Sequence, residues 1–318
     1  MLRSEYRQRI SRLAGLALLL MLLSAFPAHG QETKTLARLK EMGLPMLPGK
    51  VPAYYSVGHQ QHAEKLQAAV EDMNAFYKER LGVQANVILA LLDAKDWTKV
   101  TDGPYFFPGY YRNDDPVFLM PATSDNPVFG LMQARKAAIP PEELQAFLKD
   151  NHTTFDALAG QFVDLVSFHE LGHTLLLNFG IDPQNRWFNE FLASYFSYAY
   201  IAERQPEWKR VFALLGRPSK IRPKNTSLDD FDRLYDDVDD VGWYHGMFES
   251  RIREIYPQLG LQFVADLKSQ FPLVASRAEY MKPFDTRMKP SQLLERLEKI
   301  APGFQKWAAA FDSPPASH

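Results

Sequence analysis

Two histidines four residues apart are the part of this sequence best suited to chemistry. His169 and His173 belong to the run His-Glu-Leu-Gly-His, which spans residues 169–173. On a helix, side chains at this spacing project from one face, one turn apart. Two neutral imidazoles placed in this way can hold one Zn²⁺ per chain, and Glu170 is then placed to act on a water bound to that metal.

A third ligand is found 17 residues after His173. Glu190 lies in the stretch Trp-Phe-Asn-Glu-Phe-Leu-Ala, residues 187–193. A carboxylate in such an apolar stretch needs a partner, and a metal ion supplies one. Two histidines and one glutamate leave the fourth zinc position open, which is typical of catalytic sites rather than closed structural sites.

The chemistry of such a site is hydrolysis. Zinc would lower the pKa of a coordinated water toward ~7 and polarise a scissile carbonyl. Glu170 would accept the proton and pass it to the leaving amine. The alternative is that one histidine lies in the core and the other on the surface. The apolar character of the segment argues against this, because burying unpaired imidazoles and a carboxylate is costly.

Two helices must position these side chains. The apolar pattern predicts a long helix over Ala157–Phe179, with Gly180 as its C-cap. A second helix is predicted over Trp187–Glu203, after a short turn. Two antiparallel helices joined in this way can bring Glu190 over the two histidines.

The first half of the chain is predicted to contain strands. An amphipathic helix over His62–Leu81 precedes a strand over Val83–Leu92, a long loop over 101–116 and a second strand over Val117–Pro121. Pro121 indicates a sheet edge or a strand end. This strand is therefore a candidate ledge for an extended peptide.

The second half is predicted to be helical throughout. Its further helices are Glu207–Leu215, Leu228–Tyr235, Tyr244–Leu259, Leu261–Gln270 and Ser291–Ile300. Strands followed by helices predict an α+β fold with a cleft between two lobes. The expected organisation is an N-terminal α/β lobe over residues 31–185, which carries the metal helix, and a helical C-terminal lobe over residues 186–318.

Residues 1–30 are predicted to be a signal peptide. Leu13–Phe26 is an apolar run of about 14 residues, shorter than the ~20 that a bilayer crossing needs. Cleavage before Gln31 would give a secreted or periplasmic protein, and an uncleaved anchor is the alternative. The basic residues before the apolar run are Arg3, Arg7, Arg9 and Arg12.

Composition narrows the chemistry further. The chain of 318 residues is 46% hydrophobic, enough for a substantial core. It has no cysteine, which excludes thiolate catalysis and disulfides and fits a bacterial envelope protein. A formal net charge of −2 gives no reason to expect a nucleic-acid partner.

The two segments at 169–173 and 187–193 resemble those of the gluzincin metallopeptidases, in particular the aminopeptidase N-like clan. The second segment is similar to that group's aromatic-Asn-Glu-small-aromatic-Ala helix. The resemblance implies a zincin-like fold of two lobes, with His169, His173 and Glu190 as zinc ligands and Glu170 as catalytic base. The group's Gly-x-Met-Glu-Asn run, which anchors a free substrate N-terminus, is absent here, so an endopeptidase or a narrow-specificity hydrolase is favoured.

Those enzymes also stabilise the oxyanion with a tyrosine in a Tyr-x-x-Gly run. This chain has Gly-Trp-Tyr-His-Gly over residues 242–246. Tyr244 is the candidate oxyanion donor, and His245 is the second candidate. The alternative is that Tyr244 is a packed aromatic and His245 a surface residue.

Several weaker signals accompany the metal motif. Ser194 and Asp164 are candidate hydrogen-bond partners for a ligand histidine, although each is more simply an ordinary helix residue. Aromatic residues between Tyr105 and Tyr111 could form a lid on the cleft or simply hold their loop in place. An acidic stretch matches no EF-hand spacing and is interpreted as a solvated face rather than a Ca²⁺ site. Its members are Asp229, Asp230, Asp232, Asp236, Asp237, Asp239 and Asp240.

The sequence thus predicts an exported zinc-dependent peptidase whose partner is a peptide or protein substrate. It predicts no nucleic-acid partner and no stable membrane span after signal cleavage, and it leaves the oligomeric state open. Two rival functions remain. One is a zinc-binding scaffold without hydrolysis, against which Glu170 argues, and the other is a zinc hydrolase that acts on a non-peptide bond.

Overall fold

The structure is a computed structural model. It describes residues 34–102, 109–110, 116–123, 132, 136, 139–181, 185–216, 223–233, 241–271 and 289–312. The predicted signal peptide, the aromatic residues 105–107 and 111, and the acidic residues 236–240 lie outside these ranges. Within the described ranges, no helix combines the length and the hydropathy that a bilayer crossing requires.

A small mixed sheet forms the first half of the fold. Its strands are β1 (Met46–Leu47), β2 (Ala53–Tyr55), β3 (Ile88–Leu92), β4 (Gly109–Tyr110) and β5 (Val117–Pro121). The order across the sheet is β1-β2-β3-β5-β4. The three central strands are parallel, whereas β1 and β4 are antiparallel to their neighbours. All five residues of β5 are buried, as expected for a strand covered on both faces.

The strand predictions are confirmed in part. The strand over Val117–Pro121 is confirmed, and Pro121 marks its end. It is not a sheet edge, because β4 pairs with it on the side away from β3. β4 lies within the segment predicted to be a loop, and β3 is shorter than predicted because residues 83–87 are not in a strand. The ledge predicted for an extended peptide is therefore occupied by the chain's own strand.

Helices make up most of the described chain. They are α1 (Lys34–Glu41), α2 (Gln60–Leu81), α3 (Ala94–Val100), α4 (Pro141–Asp150), α5 (Phe155–Phe179), α6 (Arg186–Arg204), α7 (Pro206–Leu215), α8 (Leu228–Arg233), α9 (Val241–Leu259), α10 (Gln262–Gln270), α11 (Pro290–Ile300) and α12 (Phe304–Asp312). The helices predicted from apolar periodicity are all present, with ends shifted by up to three residues. α1, α3, α4 and α12 were not predicted. The fold is thus a mostly helical chain with a small mixed sheet, which agrees with the α+β class.

The long helix α5 has clear signals at both ends. The side chain of Thr154 accepts a hydrogen bond from the backbone N–H of Ala157 over 3.2 Å. Gly180 follows the last turn at φ 88°, a left-handed conformation that glycine adopts without strain. The predicted C-cap is confirmed, and it directs the chain back toward α6.

One hydrophobic core extends from β2 to α12. Phe191, the residue after Glu190, is fully buried and packs against Phe304 and Trp307 of α12, with ring centroids 5.6 and 6.0 Å away. Aromatic side chains bury a large apolar area and prefer such tilted contacts. The helix α6, which carries Glu190, is thus packed against α12, the last helix that the structure describes.

An ion pair joins α2 to α5. His62 Nε2 lies 2.8 Å from Asp164 Oδ1. The hydrogen bond to Asp164 raises the pKa of His62, and the charge of Asp164 adds to it, whereas partial burial and Lys65 act in the opposite direction. Asp164 therefore pairs with His62, to which the sequence analysis assigned no role, and the alternative of a partner for a ligand histidine is not what this contact shows.

This pair predicts a pH-dependent stability. Because the folded pKa of His62 is raised, its contribution is complete below the unfolded value of ~6.5 and is lost as pH rises through the folded pKa. Asp164→Asn is expected to lower the free energy of unfolding by about 1 kcal/mol at pH 5.5 and by less at pH 8.5. Urea unfolding of both chains at the two pH values measures this. A larger deficit at pH 8.5 would contradict the assignment.

Candidate metal centre

The candidate metal ligands lie beside a close contact between α5 and α6. A Cβ atom built on Gly172 would lie 2.6 Å from the backbone oxygen of Ala193 and 3.1 Å from its Cα. No side chain larger than hydrogen fits at this distance. Gly172 therefore allows the backbones to approach, and this brings the side chains on either side of the contact within reach of one another.

Three predicted ligands converge at this contact. Nε2 of His169 lies 3.0 Å from Oε2 of Glu190, and Nε2 of His173 lies 3.4 Å from the same oxygen. One ligand atom from each of the three residues lies within 4.8 Å of the other two. Among the described residues, this is the group of histidine, aspartate and glutamate side chains that could hold a metal ion.

These separations suit a tetrahedral ion. Zinc lies about 2.0–2.2 Å from nitrogen and oxygen ligands, so two ligand atoms of one tetrahedron lie roughly 3.3–3.5 Å apart. The two distances from Glu190 to the imidazoles, 3.0 and 3.4 Å, are close to that value. The donor set also leaves one position of the tetrahedron without a ligand from these three residues.

The outer nitrogens of both imidazoles have partners on α6. Nδ1 of His169 lies 3.0 Å from Oγ of Ser194, and Nδ1 of His173 lies 3.2 Å from Oδ1 of Asn189. An Nδ1–H that donates to these oxygens leaves the Nε2 lone pair to a metal. The suggested role of Ser194 is supported. The sequence analysis did not single out Asn189 as a partner of His173, although it stands beside Glu190 in the segment 187–193.

The electrostatics of the three side chains favour a bound cation. Burial alone would lower the pKa of His173, but the charge of Glu190 and the hydrogen bond to it raise that pKa to about 9. Burial would likewise raise the pKa of Glu190, but the two imidazoles hold it well below its usual range. Positive charge is therefore stabilised beside this carboxylate, and a divalent cation can replace the protons.

Glu170 lies between the two ligand histidines in sequence and is partly exposed, unlike the buried Glu190. Its charge contributes to the raised pKa of His173, which places its carboxylate within electrostatic reach of the site. A partly exposed carboxylate beside the ligands can exchange protons with solvent.

Tyr244 does not lie at the metal centre. Its side chain is fully buried, and its hydroxyl donates to the backbone oxygen of Asn225 over 2.7 Å and lies 3.2 Å from that of Ser227. The adjacent His245 faces the site instead, with Nε2 3.9 Å from Oε2 of Glu190. The tyrosine predicted to be the oxyanion donor is thus a packed aromatic, and the second candidate occupies the place expected of the first.

The prediction that the acidic stretch is a uniformly solvated face is wrong for the residues that the structure describes. Asp229 is exposed, and Asp230 pairs with Arg233 over 2.5 Å. Asp232 is only 1% exposed, and its carboxylate accepts hydrogen bonds at the start of α6. The pattern failed here because a helix of one and a half turns has one face against the core even when most of its residues are acidic.

Comparison with known proteins assigns this chain to no family. No protein-family model, no curated protein and no solved structure matches this chain. The class of site is therefore defined by geometry alone, as two histidines and a glutamate on adjacent helices that could hold a metal ion.

Proposed function

We propose that this protein is an exported zinc-dependent peptidase of the gluzincin type, with a zincin-like arrangement of two lobes. The observation that carries the proposal is the convergence of His169, His173 and Glu190 within 4.8 Å of one another. The preference for zinc rests on the donors, since two imidazoles and one carboxylate are a usual ligand set of catalytic zinc.

The residues around the site have distinct roles in this proposal. A zinc ion held there would acidify a coordinated water and polarise the scissile carbonyl. Glu170 accepts the proton of the attacking water and delivers it to the leaving amine as the peptide bond breaks. Ser194 and Asn189 hold the two imidazoles in the tautomer that presents Nε2 to the metal.

His245 is the proposed oxyanion donor in place of Tyr244. Its Nε2 lies 3.9 Å from Oε2 of Glu190, close enough to reach a group bound at the open coordination position, and His245 is not one of the three residues that form the ligand group. An imidazole N–H at that position would stabilise the negative charge that develops on the carbonyl oxygen.

The first test is metal content. The purified mature chain is expected to carry one Zn²⁺ per molecule after reconstitution, whereas Glu190→Ala is expected to carry much less because a ligand is lost. Elemental analysis of both proteins measures this, and a change in folding is excluded by circular dichroism. Substoichiometric zinc in the wild-type chain would remove the proposal.

The second test separates a peptidase from the rival functions. A mixed peptide pool incubated with the zinc-loaded protein is expected to give new termini that mass spectrometry identifies, and their positions distinguish endopeptidase from exopeptidase cleavage. Zinc binding without cleavage of any peptide would favour the scaffold or the hydrolase of a non-peptide bond.

A further inference from the structure

The helix that carries Glu190 begins against a buried carboxylate from another part of the chain. The backbone N–H of Trp187 donates to Oδ1 of Asp232 over 2.8 Å. The side-chain amide of Asn185 donates to Oδ2 of the same residue over 3.1 Å. Since Asp232 is 1% exposed, both of its oxygens serve the first turn of α6 and not the solvent.

α6 has no N-terminal cap from its own sequence. Its N-cap residue, Asn185, makes no side-chain capping bond, and its first turn contains no acidic residue. The unsatisfied N–H groups and the positive end of the helix dipole favour a negative charge at this position. Asp232 supplies that charge from α8.

The capped turn is the one that presents the metal ligand. The backbone N–H of Asn189 bonds to the oxygen of Asn185 over 3.0 Å, and Glu190 is the next residue. A displacement of this turn would therefore move two groups together. One is the carboxylate of Glu190, and the other is the amide that orients the ring of His173.

Asp232 is held in place by α9. The ring of Phe231, which is fully buried, packs against Tyr244 with ring centroids 4.8 Å apart. The hydroxyl of Tyr244 binds the backbone oxygens of Asn225 and Ser227, just before α8 begins. Through these contacts α8 packs between the start of α6 and α9, the helix that carries His245.

We propose that Asp232 is a positioning residue of the metal centre, which fixes the first turn of α6 so that Glu190 lies at coordination distance from both imidazoles. It acts through the helix backbone rather than on the metal. The inference rests on the proposed function for the choice of metal, but it does not depend on hydrolysis.

Metal affinity tests this directly. Asp232→Ala in the mature chain is expected to weaken Zn²⁺ binding about 10- to 100-fold, measured by competition with a chromophoric chelator. The visible absorption of the Co²⁺-loaded variant at saturation is expected to differ from that of the wild type, because the ligand geometry changes. Asp232→Asn keeps an oxygen acceptor for the N–H of Trp187 and is expected to recover most of the affinity.

The matched control is Asp229→Ala, which removes an exposed carboxylate from the same helix and is expected to bind like the wild type. A folded Asp232→Ala with wild-type affinity and an unchanged Co²⁺ spectrum would overturn the proposal. Should that variant fail to fold, Asn185→Ala decides, because it removes one of the two bonds: weaker binding supports the proposal and unchanged binding refutes it.

The same experiment keeps the two proposals apart. A wild-type chain that binds neither Zn²⁺ nor Co²⁺ would refute the proposed function together with this inference. A wild-type chain that binds both ions, with all Asp232 and Asn185 variants unchanged, would refute this inference alone.

Discussion

Replacing Glu170 by glutamine is expected to leave zinc bound and to reduce peptide hydrolysis by about 10²- to 10⁴-fold. Glutamine has nearly the same shape but cannot accept the proton of the attacking water. The ligands His169, His173 and Glu190 are untouched by the change, so the metal content should remain that of the wild type. Elemental analysis and the rate of cleavage of the best peptide from the pool measure the two effects.

The control for this variant removes a carboxylate elsewhere on the same helix. Asp156 lies in the first turn of α5, about four turns before Glu170. Asp156→Asn is expected to retain both zinc and activity. Equal activity of the wild type and Glu170→Gln would eliminate Glu170 as the base. If neither protein cleaves any peptide while both hold zinc, the result favours the scaffold or the hydrolase of a non-peptide bond over the peptidase.

Gly172→Ala is expected to destabilise the protein and loosen the metal centre together. The added Cβ would lie 2.6 Å from a backbone oxygen, which cannot rotate away as a flexible side chain would. The helices must therefore separate, at a cost of about 1–3 kcal/mol in the free energy of unfolding. Zinc affinity is expected to fall by roughly tenfold or more, because Glu190 moves away from the imidazoles. Urea unfolding and chelator competition measure both quantities.

Gly160 offers a matched control on the same helix. A Cβ atom there would meet nothing within 4 Å. Gly160→Ala is therefore expected to raise the free energy of unfolding by about 0.5–1 kcal/mol, because alanine is the better helix former, and to leave zinc affinity unchanged. If both glycine variants behaved alike, the close contact of the two helices could not be what sets the site.

The convergence of the three candidate ligands was largely predictable because its signals are local. Two histidines one turn apart share a helix face in any context, and a short connection forces the next helix to pack beside it. The C-terminal end of α5 follows from Gly180, whose preference for a helix end is independent of the tertiary fold, whereas the N-cap Thr154 was not singled out and the start was predicted two residues late.

Which of Tyr244 and His245 faces the candidate site was not predictable in the same way. Consecutive residues on a helix point about 100° apart, so either Tyr244 or His245 could face the metal, but not both. The choice depends on how α9 packs against α6 and α8, which is a contact between distant parts of the chain. α9 also begins at Val241, almost one turn before the predicted start, so its orientation could not be read from the pattern.

The strand β4 and the burial of Asp232 could not be predicted from the sequence for a related reason. A strand of two residues has no periodicity to detect, and its pairing with β5 is fixed only by the sheet. An aspartate in an acidic run has the composition of a solvated surface. Only the position of α8 against α6 shows that this carboxylate is buried.

The packing of Phe191 against α12 has a consequence for the order of events during synthesis. The two helices that carry the candidate ligands are synthesised before Phe304 and Trp307, so a nascent chain contains all three candidate ligands before the aromatic partners of Phe191 have been made. The candidate metal site is therefore fully packed only after α12 has been synthesised.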